Sequence, residues 1–169
     1  MHARPGLTRR ARWAGVLTAV VGGALGIAAC DSGSDQLSQR ELVRRANAVC
    51  RGANERVERI EAPSLADPDG VGRAIGEVVV IQRRALADLR ELEPPTRDEP
   101  GYDGWLRDLD AALDQMSRAR AALGRGDRPG ADAATLRARE RGDAAETFAA
   151  AYGLDACSTT DEQAPGPGP

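Results

Sequence analysis

Past its first three dozen residues, the chain repeats one arrangement four times: apolar positions three and four apart, set among charged ones. That period belongs to helices with one buried face. Leu42, Ala46, Val49, Ala53, Val57 and Ile60 form the first stripe. Ser38-Gln39-Arg40-Glu41 precedes it as a capping box, Leu37 and Leu42 supply a hydrophobic staple, and Pro63 ends it. The second segment, from Val71 to Leu92, places Val71, Ile75, Val78, Ile81, Ala85, Leu89 and Leu92 on one face and stops at Pro94-Pro95. Its branched run Val78-Val79-Val80-Ile81 also suits a strand, but the helical flanks favour a helix.

A third segment, Tyr102 to Leu123, aligns Leu106, Leu109, Leu113, Met116, Ala119 and Leu123, and Gly124 and Gly126 mark the turn after it. The fourth runs from about Ala131 to Tyr152 and is weakest at Leu136-Arg137-Ala138-Arg139-Glu140-Arg141-Gly142. It closes on Gly153-Leu154, the pattern of a Schellman-type cap. Four amphipathic helices with short connections predict an all-α fold, an up-down four-helix bundle. In that order, the start of the first helix shares one end of the bundle with the end of the second, the start of the third and the end of the fourth. Tyr102, Trp105, Phe148 and Tyr152 would then gather there. Each recurs at helical spacing, so core packing outweighs a ligand or contact cluster as their expected role.

The leading stretch differs in kind. Residues 1–12 are basic and free of acids, and Trp13 to Ala29 is an uncharged, glycine-diluted run that stops abruptly at Cys30. This is the layout of a signal peptide. Its 17 residues fall short of the ~20 apolar residues a spanning helix wants. Ile27-Ala28-Ala29-Cys30 resembles a lipobox, which implies cleavage before Cys30 and a diacylglyceryl group on its thiol. Two or more acyl chains, at ~0.8 kcal/mol per buried methylene, hold a protein on a membrane. The Arg9-Arg10 pair leaves twin-arginine export open beside the general route. The expected organisation is a lipoprotein signal peptide over 1–29, a flexible tether over 30–37, a helical domain over 38–157 and a disordered Pro/Gly-rich tail over 158–169. The expected location is the outer face of the cell membrane.

Composition narrows the chemistry. Removal of the leader leaves 19 arginines against 26 acids, a net charge of −7 with no lysine at all. Such a field repels nucleic acid, and no basic block interleaved with aromatics counters it. The one histidine is His2, so the domain lacks both the commonest general base and the commonest metal ligand. No cofactor or metal is expected. Asp103, Asp110 and Asp114 share a helix face but lack the shaped loop that a hard cation needs, so a solvated face is the simpler reading. Arg125-Gly126-Asp127 and Arg141-Gly142-Asp143 spell an adhesion tripeptide twice, as chance allows in a chain rich in all three residues.

With Cys30 committed to lipid, Cys50 and Cys157 remain in a compartment where disulfides persist, and they are expected to pair. The alternative is two free buried thiols. Pairing closes a loop of about a hundred residues, worth up to ~4.7 kcal/mol on the chain-entropy model. It carries a geometric condition, because Cys50 lies ~18 Å along its helix. Either the fourth helix ends inboard or the stretch from Gly153 to Cys157 folds back.

Arg45-Ala46-Asn47-Ala48-Val49-Cys50, continuing through Arg51-Gly52-Ala53-Asn54, resembles the opening helix of a family of small secreted or lipid-anchored actinobacterial proteins. The Leu-rich stretch Leu89 to Pro95 and the closing Tyr152 to Cys157 resemble that family as well. The resemblance implies the helical fold and the cysteine pair; its motifs are structural and imply no activity. The functional expectation is a non-catalytic, lipid-anchored envelope protein that contacts another envelope protein. The alternative is a carrier of a small apolar ligand held between the helices.

Overall fold

The computed structural model describes residues 36–64 and 66–158. The expected leader, Cys30 with its expected lipid, nearly all of the expected tether and the expected tail beyond Ser158 lie outside the described residues.

Four helices follow in order, α1 (Gln39–Val57), α2 (Pro68–Arg90), α3 (Glu99–Leu123) and α4 (Arg128–Tyr152), then a short 3-10 turn, η1 (Asp155–Cys157); no strand occurs among the described residues. The branched run of the second segment is helical, lying inside the continuous α2, with Val79 buried and Val80 52% exposed. Three helices begin earlier than their apolar stripes do, because Pro68, Pro100 and Pro129 each sit in a first turn. A first-turn proline gives up no helical hydrogen bond and has its φ already set. Ser38 caps α1 by accepting from Glu41 N–H at 3.3 Å. The Glu41 carboxylate turns outward to Arg44 and Arg45, at 2.6 Å each, and these two guanidinium groups hold it below the usual carboxylate range. α4 ends as its sequence predicts: Gly153 is left-handed at φ 86°, Leu154 N–H donates to Ala149 O at 2.8 Å, and Leu154 is fully buried.

Successive helices run antiparallel. Leu37 N–H donates to Glu93 O at 2.9 Å, joining the start of α1 to the end of α2. Arg90 reaches Asp110 at 2.8 Å and Arg83 reaches Asp114 at 2.6 Å, pairing later α2 with earlier α3. Tyr152 Oη donates to Asp98 at 2.7 Å, bringing the end of α4 to the start of α3. The core runs along the middle of this arrangement, with Leu42, Tyr102, Trp105 and Leu154 as its largest fully buried side chains. α3 and α4 share the most extensive interface. α4 contributes mainly Ala131, Ala134, Ala145 and Ala149 to the core, and small side chains allow helix axes to approach closely.

A candidate ligand pocket beside the disulfide

After Gly153 the chain folds back along α1, which meets the geometric condition on the cysteine pair. Cys50 and Cys157 are bonded, with their Cα atoms 5.1 Å apart. Two asparagines of α1 hold the returning segment on either side of that bond. Asn47 donates to Gly153 O at 3.1 Å and accepts from Ala156 N–H at 2.9 Å, while Asn54 donates to Ala156 O at 2.9 Å. Asn47 and Asn54 are seven residues apart, two helical turns, so both share the Cys50 face.

The fold-back sets the spacing of the bundle. α1 packs on α2 and on η1, and η1 in turn touches α4. Beside the disulfide this leaves a pocket of about 220 Å³ lined by all four helices and η1. Its floor is Leu86, Leu89, Trp105 and Leu113, all buried. Leu109 and Met116 continue the apolar wall, and Asn54, Gln82, Gly142 and Glu146, all partly exposed, stand nearer solvent. The volume has a simple origin: Ala85, Ala112, Gly142 and Ala145 line it from three helices, and none reaches far enough to fill it. A Cβ built on Gly142 meets no atom within 4 Å.

The four aromatic rings form one continuous row. Tyr102 and Trp105 lie 5.3 Å apart between centroids, Trp105 and Phe148 6.0 Å, and Phe148 and Tyr152 5.3 Å. Of these, Trp105 alone lines the pocket. Its indole N–H is buried without a hydrogen-bond partner, a condition that costs about 1–3 kcal/mol. Tyr102 donates its hydroxyl to Leu89 O at 3.0 Å. Burial pushes the Tyr102 phenol well above its ordinary value, with the nearby Tyr152 adding to it. For Tyr152, burial again leads, followed by the hydrogen bond to Asp98. Neither tyrosine is placed as an acid or base for neutral pH.

Of the three aspartates on the acidic face of α3, Asp110 and Asp114 are engaged by arginines and Asp103 is exposed. Asp110 and Asp114 pair with Arg90 and Arg83, and Asp108 accepts from Arg141 at 3.1 Å. Among the described residues, no group of three or more His, Cys, Asp or Glu side chains converges as a metal site would require. The two Arg-Gly-Asp tripeptides have separate local roles. Asp127 caps α4 by accepting from Gly130 N–H at 2.9 Å, after Gly126 turns the chain at φ 72°. The second lies inside α4, where Gly142 lines the pocket.

Asn54, Gln82, Gly142 and Glu146 were not singled out by the apolar periodicity. The available signal was the pair Asn47 and Asn54, polar residues two turns apart on the face that carries Cys50. No protein family, curated protein or solved structure matches the chain.

Proposed function

We propose that the protein is a non-catalytic binding protein, lipid-anchored at the outer face of the cell membrane, that holds a small apolar molecule between its helices. The anchor reading is supported by the basic leader, its short apolar run and the lipobox-like Ile27-Ala28-Ala29-Cys30. The binding reading is carried by one observation, the apolar pocket of about 220 Å³ beside the disulfide. An apolar cavity of ~150 Å³ stays dry and takes up benzene, so this one admits a single ring with a short substituent. It is below the ~300–1,000 Å³ of pockets for drug-sized ligands, which restricts the ligand to a slim molecule.

Contact with another envelope protein has weaker support. Val80 on α2 and Leu136 on α4 are the exposed large hydrophobics among the described residues. Single apolar residues of this kind are ordinary surface.

Titration of the full chain with ethylbenzene, followed calorimetrically and through the Met116 methyl resonance, tests the binding reading. Saturable binding is expected, and Gly142→Leu should abolish it while keeping the helical fold, because the new side chain meets open space and leucine suits a helix. Absence of saturable binding up to the solubility limit would overturn the reading. For the anchor, the mass of protein extracted from membranes should correspond to an acylated chain beginning at Cys30. A mass retaining residues 1–29 without acyl groups would overturn it.

A further inference from the structure

The residues that line the pocket are also uneven in charge. Among the described lining residues, Glu146 alone carries a charged side chain, and none of the chain's arginines does. That is a strong bias in a domain with 19 arginines beyond residue 30. Glu146 lies one helical turn after Gly142, so the carboxylate and the open glycine position share one face of α4. Gln82, on α2, adds an amide carbonyl to the same lining. Everything else along the wall is apolar or small, apart from the Trp105 indole N–H and Asn54, whose amide N–H already holds Ala156 O.

We propose that the ligand is a slim apolar amine, with its ring or short alkyl chain against Leu86, Leu89, Leu109 and Leu113 and its ammonium at Glu146. This rests on the reading of the pocket as a ligand site. An ionised carboxylate offers about four acceptor positions, so it takes an ammonium donor alongside its other interactions. Hydrogen bonds between ionised partners are about twice as strong as neutral ones. The same carboxylate repels the head of a fatty acid or other organic anion, and the net charge of −7 beyond the leader adds to that repulsion. An apolar wall with a single acid at its margin therefore separates amines from acids of equal shape.

Three matched probes test this on the full chain: ethylbenzene, 2-phenylethylamine and 3-phenylpropanoate, titrated into wild type and Glu146→Gln. In wild type the amine should bind about tenfold more tightly than ethylbenzene, and the acid more weakly than ethylbenzene. In Glu146→Gln the three affinities should draw together. Added salt should reduce the amine's advantage in wild type, because a partly exposed pair is screened. If ethylbenzene binds but the amine has no advantage, or keeps it in Glu146→Gln, the amine assignment fails and the ligand site stands. If ethylbenzene itself does not bind wild type, the ligand site fails and the amine assignment fails with it.

Discussion

The backbone N–H of Ala156 donates to Asn47 Oδ1 at 2.9 Å, across 109 residues of chain. The opposite face of the same peptide segment is held too, since Ala156 O accepts from Asn54. Both backbone groups of one residue in η1 are thus satisfied by side chains of α1, on either side of the disulfide. The covalent bond does not hold the fold-back alone; it locks a segment already fixed by polar contacts. Those contacts are partly buried, so water replaces them poorly when they are lost.

Asn47→Ala should therefore lower stability by about 1–3 kcal/mol, because it leaves Ala156 N–H and Gly153 O without their partners. The paired change Cys50→Ala with Cys157→Ala should cost more, about 2–5 kcal/mol, since it frees a loop spanning 107 residues in the unfolded chain. Urea unfolding followed by circular dichroism measures both. A disulfide-free variant as stable as wild type would show that the asparagines suffice.

Three glycines should respond in different directions to alanine. Gly142 is helical and its added Cβ meets nothing within 4 Å, so Gly142→Ala should stabilise by about 0.5–1 kcal/mol. Gly101 is also helical, but its Cβ would come within 3.0 Å of Phe148 Cε2, and that ring is stacked between Trp105 and Tyr152. Gly101→Ala should lose the propensity gain and destabilise by about 1 kcal/mol as the ring row shifts. Gly153 has φ 86°, so Gly153→Ala should cost about 1–2 kcal/mol and weaken the end of α4. Melting temperatures of the three variants give the order directly.

The arginine-aspartate pairs between α2 and α3 should matter little by comparison. Asp110 is held at 2.8 Å by Arg90 and lies 3.7 Å from Arg83, yet all three side chains remain more than a third exposed. Asp110→Asn should cost less than about 1 kcal/mol, and the loss should shrink in high salt. Asp103→Asn, an exposed position on the same helix, should change stability by no more than about 0.5 kcal/mol. A large, salt-independent loss at Asp110 would mean that the pair is shielded from solvent.

These contrasts follow how far the sequence pattern reaches. The stripes of α1 and α3 are legible because Leu42, Ala46 and Ala53, and then Leu106, Leu113 and Ala119, recur at helical spacing on buried faces. In α2 only Ala85 and Leu89 of the expected stripe are buried, and the buried face takes in Val79 and Leu86 while Val71, Ile75, Val78 and Ile81 stay partly exposed. α4 is harder to read, since alanines mark its buried face, Leu136 is 60% exposed, and charges crowd the other positions. The first-turn prolines blur the boundaries: a proline reads as a stop whether a helix ends before it or begins at it. Cys50, Cys157 and the four aromatics stand out by type and spacing. The pocket does not, because it is a shortage of volume where Ala85, Ala112, Gly142 and Ala145 come together from three helices. No single stripe records what is missing between several.

The last prediction concerns alkaline pH, where this chain is unusually simple to interpret. It has no lysine, and Cys50 and Cys157 are joined as a disulfide, so among the described residues tyrosine is the group with an ordinary pKa near 10 that folding perturbs. Tyr102 is 1% exposed and donates to Leu89 O, so ionising it would bury a charge and set two acceptors against each other. The folded state thus binds the phenolic proton more tightly than the unfolded state does. Stability from this source is complete below pH 10 and falls as pH rises above it, by about 1.4 kcal/mol per pH unit for a tyrosine that stays neutral only when folded. Tyr152, raised in the same sense, steepens the fall. Urea titrations from about pH 9 to about pH 11 should show the decline, and Tyr102→Phe should flatten it. That variant should start about 1 kcal/mol lower at neutral pH, having lost the bond to Leu89 O. A slope unchanged in Tyr102→Phe would mean that the phenol ionises as readily in the folded protein as in the unfolded chain.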